Sequence, residues 1–464
     1  MKPPSPELSR RSFVRQACCA AVGTGGILSA LSQLRVIAAV AGDSLAPKTA
    51  AAVLPDYKAL VCLYLSGGSD ATNLIIPSDA SSHAVYASSR ATLAVGRSDL
   101  LPIAPRRYSD GRTYGLNPAA PGLQSLFNDG KVAVLANVGM LVRPTTLADY
   151  RAGRNLPPQL FSHNDQTMQW QSSVPDKPFE SGWGGRLADL LDAMNSNNEV
   201  SMSITLSGAN SFQRGNAVGQ FSVDDGGVPS LNYGSTLSAQ RASGIKSILA
   251  NPSTNALAAA FGNVTLGSIT DGELLSTALR SAPTLRTVFP GTAAASRLAM
   301  IAKIISVSQA LGVRRQIFFV DVGGWDMHAA QSTAYAPLVT ELSRAMKAFY
   351  EATVELGVAN QVTTFTASDF GRTYTPNSGG TDHGWGNHQL IMGGAVQGGD
   401  IYGRMPSLVV GADDDTGRGR WIPTTSVDEY NATLATWFGV SQSNLSTVLP
   451  NIGRFAKPNL GFMG

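Results

Sequence analysis

Cysteine is nearly missing: the 464 residues hold three, and two of them, Cys18 and Cys19, fall in the N-terminal apolar run. That leaves Cys62, so no intramolecular disulfide can staple the remainder and stability has to come from a large core. With 43% hydrophobic residues the chain can supply one. Histidine is almost as scarce, at five residues, and only 14% of the chain is charged. A formal charge of +3 leaves no basic surface of the kind that binds nucleic acid. Past residue 41 no apolar run reaches spanning length, which predicts no membrane span after cleavage of the leader.

Residues 1–41 read as a leader and not as part of the fold. Ser9-Arg10-Arg11-Ser12-Phe13-Val14-Arg15 is a twin-arginine pattern, followed by an Ala- and Gly-rich apolar stretch from Ala17 to Leu34 and by Ala39-Val40-Ala41, a small-residue cleavage site. This predicts a Tat signal, the Tat translocase as partner during export, and a periplasmic or secreted mature protein. Removing the leader takes away five cations and one anion, so the formal charge falls to about −1.

The remainder alternates buried strands with helices. Lys58–Leu65 (KALVCLYL) and Lys131–Leu141 (KVAVLANVGML) are continuous apolar runs of the kind found in strands covered on both faces. Leu187, Leu190, Leu191 and Met194 recur at helical spacing, and Val200–Leu206 alternates like a strand. From Ala293 the rhythm is regular: a helix over Ala293–Leu311 with Gly312 as its stop, a strand over Gln316–Val322, a helix marked by Leu338, Leu342, Met346, Phe349 and Val354 and closed by Gly357, then strands over Gln361–Ala367 and Gln389–Val396. Such alternation predicts an α/β fold with a mostly parallel central sheet and helices on both faces. The stretch from about 215 to 290 is rich in Ser, Asn, Gly and Thr and predicts an insertion or cap, leaving 42–464 as one α/β domain.

Three of the five histidines, His328, His383 and His388, lie between Phe318 and Gly403, together with Asp321, Asp326, Asp369 and Asp382 at or near strand ends. In open α/β sheets the loops beyond the carboxyl ends of the strands share one crevice, so these side chains are expected to meet. Carboxylate with imidazole is a mixed O/N donor set suited to zinc, manganese or iron. The bland reading has Asp326 and Asp369 capping helices and the histidines bonded in the core. Arg372 and Arg404 are candidates for holding an anion or for simple ion pairs, and Trp325 and Trp385 read as packing residues. His163, in Phe161-Ser162-His163-Asn164-Asp165, is a further candidate.

The runs LSGGSDATN, FSHNDQ, GWGGRLAD, GVRRQIFFVDVGGWDMH, TASDFGRT and TDHGWGNHQLIMGGAVQGGDIYG together resemble the bacterial family called domain of unknown function 1501. The resemblance covers essentially the whole chain after the leader, and the leader as well. It implies an alkaline-phosphatase-like three-layer α/β fold, from a superfamily with two metals at the carboxyl edge of the sheet. Carried over, Asp326 and His328 resemble a D-x-x-x-H metal pair shortened by two positions, and Asp321 resembles an acidic residue that supports magnesium. Asp369 resembles the aspartate of a D-H pair, with Phe370 where the histidine belongs. His383 resembles the last histidine ligand, with His388 as a competitor, and Asp70 stands near the first metal aspartate, where the best-aligned residue is glycine.

A C/S-x-P-x-R signature is missing, which argues against formylglycine chemistry, and Ser69, Thr72, Ser162 and Thr167 compete as nucleophiles without a favourite. The expectation is an exported metal-dependent hydrolase of a small anionic ester or an anionic polymer. In it Asp326, His328, Asp369 and His383 hold metal, with Asp321, Asp382, His388 and Asp70 as further ligands, His163 and Asp165 act at the substrate, and Arg372 binds the anion. Activation of water by the metal would remove the need for a serine. The competing expectation is a non-catalytic binding or assembly protein that keeps the fold, favoured by the eroded D-H pair.

Overall fold

The computed structural model describes residues 56–196, 200–229, 237–251 and 253–464; the leader, residues 1–41, lies outside them. The chain builds a nine-stranded sheet from β1 (Lys58–Leu65), β5 (Val132–Gly139), β6 (Ser203–Thr205), β7 (Phe221–Ser222), β8 (Arg315–Asp321), β9 (Val362–Ser368), β10 (Asn387–Gly393), β11 (Asp400–Gly403) and β12 (Thr425–Ser426). Three short strands, β2 (Ile75–Pro77), β3 (Leu101–Ile103) and β4 (Tyr114–Leu116), form a separate antiparallel sheet.

The apolar run of β1 is continuous because both faces of the strand are covered. Ala59, Val61, Leu63 and Leu65 point into one core with the helices Pro121–Asn128, Ala293–Ile305 and Gln331–Glu355. Leu60, Cys62 and Tyr64 point into the other with Trp183–Leu191, Val427–Phe438 and Leu445–Val448. The architecture is therefore three layers, helices over sheet over helices, as the alternation predicts.

The sheet order is β11-β5-β10-β9-β1-β8-β6-β7, with β12 also on β5. β1 runs parallel to β8 and β9, and β5 runs parallel to β11 and β12. Only β10 is reversed, antiparallel to both β9 and β5. That single reversal positions the site. β1, β8 and β9 end at one edge of the sheet and β10 begins there, so the segments after Leu65, Asp321 and Ser368 and the one before Asn387 converge.

Element ends follow local chemistry. The helix from Ala293 closes at Ile305, short of the expected Leu311, where the Ser306 hydroxyl donates to the Lys303 carbonyl at 2.7 Å and competes with the helical ladder. Gly357 ends the next helix in the left-handed region, φ +73°, with Val358 N–H bonded to Thr353 O at 2.8 Å. Between about 215 and 290, β7 joins the sheet edge beside β6, the helix Ser238–Leu249 buries no residue, and Ala256–Arg280 docks only its C-terminal half through Leu274, Leu275, Ala278 and Leu279.

One buried charge stands outside this logic. Asp428, in the first turn of Val427–Phe438, is fully buried. Burial pushes its carboxyl up to about 8 against the opposing charges of Arg454 and Arg186. A carboxyl whose folded pKa is raised binds its proton more tightly folded than unfolded, where the value is about 3.9. Its contribution is therefore present at low pH and lost as pH rises through the window from about 4 to 8. Asp428→Asn is expected to raise the melting temperature at pH 8 and leave it nearly unchanged at pH 4; equal shifts at both values would contradict this.

Candidate metal centre

β8 runs into Trp325-Asp326-Met327-His328, whose burial alternates, with Trp325 and Met327 inside and Asp326 and His328 outside. In extended chain, residues two apart share a side, so this D-x-H spacing presents a carboxylate and an imidazole together. The turn after β1 presses against them. Gly67 has φ +114°, and a Cβ there would meet Asp326 N at 2.4 Å, so only glycine fits. His383 lies just before β10, bridged to Arg372, and His163 opens the helix His163–Ser172.

One ligand atom from each of His163, Asp326, His328 and His383 falls within 4.8 Å of all the others, the one such group among the described residues. His328 Nε2 lies 2.9 Å from His383 Nε2 and 3.0 Å from Asp326 Oδ1. Asp326 Oδ1 is 3.6 Å from His383 Nε2, and Asp326 Oδ2 is 3.4 Å from His163 Nε2. Donor atoms of a tetrahedral site with bonds of about 2.1 Å stand about 3.4 Å apart, so these separations fit one divalent ion.

The far sides of the imidazoles decide what the near sides offer. His383 Nδ1 lies 2.6 Å from the carbonyl oxygen of Phe161, which can only accept, so Nδ1 carries the proton and Nε2 a lone pair. His328 Nδ1 faces Asp382 Oδ1 at 3.2 Å, and His163 Nδ1 faces Asp369 Oδ2 at 2.6 Å. In the neutral rings all three Nε2 lone pairs thus point inward. Two of them face each other at 2.9 Å, and the His163 Nε2 is buried without a hydrogen bond. Lone pairs that converge with nothing between them repel; a cation between them turns the repulsion into ligation. Imidazoles whose outer N–H groups go to carboxylates or a carbonyl are the usual form of metal-ligating histidine. The donors present therefore fit a metal.

The electrostatics follow from the same contacts. Its hydrogen bond to Asp369 raises His163 above the ordinary histidine value, whereas burial lowers His383. Burial pushes the Asp326 carboxyl up, but the hydrogen bond and charge of Arg372, with His163 and His328, hold it below the carboxylate range. Burial likewise works against Asp382, and Asn377, Arg418 and His328 overcome it.

Phe161 holds its position at φ +77°, a left-handed backbone that costs a non-glycine residue about 1–2 kcal/mol. Its carbonyl and the His163 two residues on lock both sides of the cluster.

The structure places several sequence candidates differently from expectation. His163, expected at the substrate, contributes a ligand atom. Asp369 and Asp382, expected as ligands, face the outer nitrogens of His163 and His328. Asp369 is buried and also accepts from Gly67 N at 3.2 Å. Arg372, expected on a substrate anion, has a side chain with no exposure; it donates to Asp326 Oδ1 at 2.8 Å, Gly67 O at 3.0 Å, Thr381 Oγ1 at 3.2 Å and the Thr381 carbonyl.

Three candidates are not brought into the group. His388 is a buried residue within β10, accepting from Asn137 N at 3.0 Å, and burial pushes it down to about 4. Asp70 is buried in an ion pair with Arg90 and accepts from Gln331 Nε2 at 2.5 Å. Asp321 ends β8, where its carbonyl accepts from Arg297 at 2.7 Å. Asp165 accepts from the Ser162 hydroxyl at 2.6 Å in the first turn of its helix. The candidate nucleophiles are engaged too: Ser69 Oγ accepts from Asn387 at 2.9 Å, Thr72 donates to Asp70 at 2.8 Å and Thr167 accepts from Tyr64 at 3.1 Å.

Sequence reading missed the Phe161 carbonyl, which no side chain announces, and Arg418 and Arg420. Their only signal is the motif Gly417-Arg418-Gly419-Arg420, two cations spaced by glycines.

Asp369→Asn tests the outer ring of contacts. An amide cannot hold the His163 N–H as a carboxylate does, and loss of such a partner costs about 10–100-fold in metal affinity. Competition with a chelator at fixed pH is expected to show a loss in that range; unchanged affinity would remove Asp369 from the site.

Sheet and cluster together define an α/β protein with a three-histidine, one-aspartate group at the carboxyl edge of a mostly parallel sheet. The chain belongs to the family described as "Protein of unknown function (DUF1501)", whose model matches residues 57–420. No curated protein matches it. Among solved structures it is similar to Ps i-CgsB in complex with k-i-k-neocarrahexaose, at 10% identity and a TM-score of 0.34 over 87% of this chain and 77% of that one. It is also similar to the PsFucS1 sulfatase from Pseudoalteromonas sp., at 10% identity and 0.31 over 89% and 72%. A mutant of alkaline phosphatase PafA matches at 10% identity and 0.29 over 69% and 64%. Likenesses of this size say nothing about reaction or substrate. No helix among the described residues is long and apolar enough to cross a membrane.

Proposed function

We propose that this protein is an exported metal-dependent hydrolase of a phosphate or related anionic ester, carried through the Tat translocase to the periplasm or beyond. The observation that supports it is the convergence of three imidazole lone pairs and the Asp326 carboxylate on one point. His163, Asp326, His328 and His383 would hold the ion, with zinc, manganese and iron suited to the donors and magnesium less so. When bound, such an ion polarises an ester oxygen and makes water a better nucleophile at neutral pH.

The chain's own groups do the rest. Asp369, Asp382 and the Phe161 carbonyl keep each imidazole in the ligating tautomer, and Arg372 balances the Asp326 charge from the buried side. Asp326 and His328 are each 45% exposed, so ester and water reach the cluster from solvent. The four hydroxyls named as candidate nucleophiles are held by other partners, which favours water as the attacking group.

A screen of phosphomonoesters, phosphodiesters and sulfate esters on metal-loaded protein tests the reading. Turnover that a chelator abolishes and the metal restores is expected. Loaded protein inert toward all three classes would move the assignment to a binding or assembly protein that uses the same metal.

A further inference from the structure

We propose that Arg420 is the anion-binding side chain of this centre, seating the tetrahedral oxyanion of the substrate beside the metal. This rests on the metal reading above and goes beyond it by naming the contact that selects the substrate class.

Three arginines are bonded to the segments that carry the cluster, and only one has its fork free. Arg372 is buried, with donors spent on Asp326, Gly67 O and Thr381. Arg418 is paired with Asp382 and reaches Thr375 O at 3.4 Å. Arg420 uses only Nε, donating to the carbonyl of His383 at 2.7 Å, and neither terminal nitrogen has a hydrogen-bond partner among the described residues. It is half-buried, and its contacts with the His383 carbonyl and the Phe161 ring place the guanidinium beside residues that build the cluster.

The side chain is also held for the task. Its guanidinium carbon lies 5.0 Å from the centre of the Phe161 ring, and the same Phe161 orients His383 through its carbonyl. Stacking on an aromatic face fixes the plane of a guanidinium while leaving its edge free for an anion. The backbone beneath is pinned. The buried Asp415 carboxylate accepts from Gly417 N at 2.7 Å and Arg420 N at 3.0 Å, and Thr416 bonds the Arg420 carbonyl through both N–H and hydroxyl. Gly417, Arg418 and Gly419 are consecutive left-handed residues, a rare backbone that persists only where its surroundings enforce it. A planar fork with two free nitrogens suits a phosphate or sulfate group.

The test is calorimetric titration of inorganic phosphate and of sulfate into metal-loaded protein, with metal content measured on each sample. Arg420→Gln is expected to keep the wild-type metal content and to weaken binding of the preferred oxyanion at least tenfold. Arg420→Lys should recover part of the loss, and Arg280→Gln, at an exposed arginine that ends the helix Ala256–Arg280, should bind as wild type. The preference between phosphate and sulfate identifies the ester class. Unchanged affinity in Arg420→Gln, loss of its metal, or a metal-loaded wild type that binds neither anion would each overturn the assignment. A wild type that takes up no metal would overturn the reading beneath it as well.

Discussion

His328→Ala is expected to purify with under a tenth of the wild-type metal and to lose ester hydrolysis, while its metal-free form melts within a degree or two of the metal-free wild type. The side chain supplies the Nε2 that sits closest to both His383 and Asp326, at 2.9 and 3.0 Å. Removing a ligand costs more than the roughly 10–100-fold that loss of an orienting partner costs. The fold should tolerate the change because the residue is 45% exposed and Asp382 keeps Arg418 and Asn377 as partners. Surface changes of that kind shift stability by about 0.5 kcal/mol or less. His383→Ala should behave alike in metal content. Retention of metal by both variants would dissolve the cluster as a binding site.

Arg372→Ala carries the second large effect, and it falls on stability. The guanidinium is fully buried between Asp326, the Gly67 carbonyl and Thr381, and its removal leaves those acceptors without donors and the carboxylate without its counter-charge. Asp326 keeps solvent, being 45% exposed, so the cost falls on the orphaned Gly67 and Thr381 carbonyls, about 1–3 kcal/mol each. A fall in melting temperature of a few degrees follows for a chain of this size, at about 1 °C per kcal/mol. Arg372→Lys should recover only part of it, since an ammonium cannot span three acceptors in one plane. Had Arg372 served a substrate, either change would lower activity and leave melting alone. Calorimetry on the metal-free forms separates the two cases.

What was legible in the sequence follows from which forces act locally. β1 and β5 could be read because strands covered on both faces must be apolar throughout, and the observed spans, Lys58–Leu65 and Val132–Gly139, fall within the runs. From the sequence, Asp326, His328 and His383 read as metal ligands by their places near strand ends, whereas His163 reads as acting at the substrate and Asp369 and Asp382 as ligands. Whether an acid ligates or orients depends on a few ångströms: Asp369 reaches His163 Nδ1 at 2.6 Å and stops there. Asp70 was misleading because its partner, Arg90, stands twenty residues on in the helix Ala80–Arg90. His388 was misleading because β10 starts at Asn387, two residues before the expected Gln389, which carries the histidine into the sheet. The Phe161 carbonyl left no trace at all, since every residue has one.

Elemental analysis of the purified wild-type protein, beside a chelated control, tests the central claim most directly. One equivalent of a divalent transition metal per chain, removed by chelation and restored on addition, is the result this site predicts. Folded protein that takes up no metal, or that binds two equivalents with equal tenacity, would contradict it.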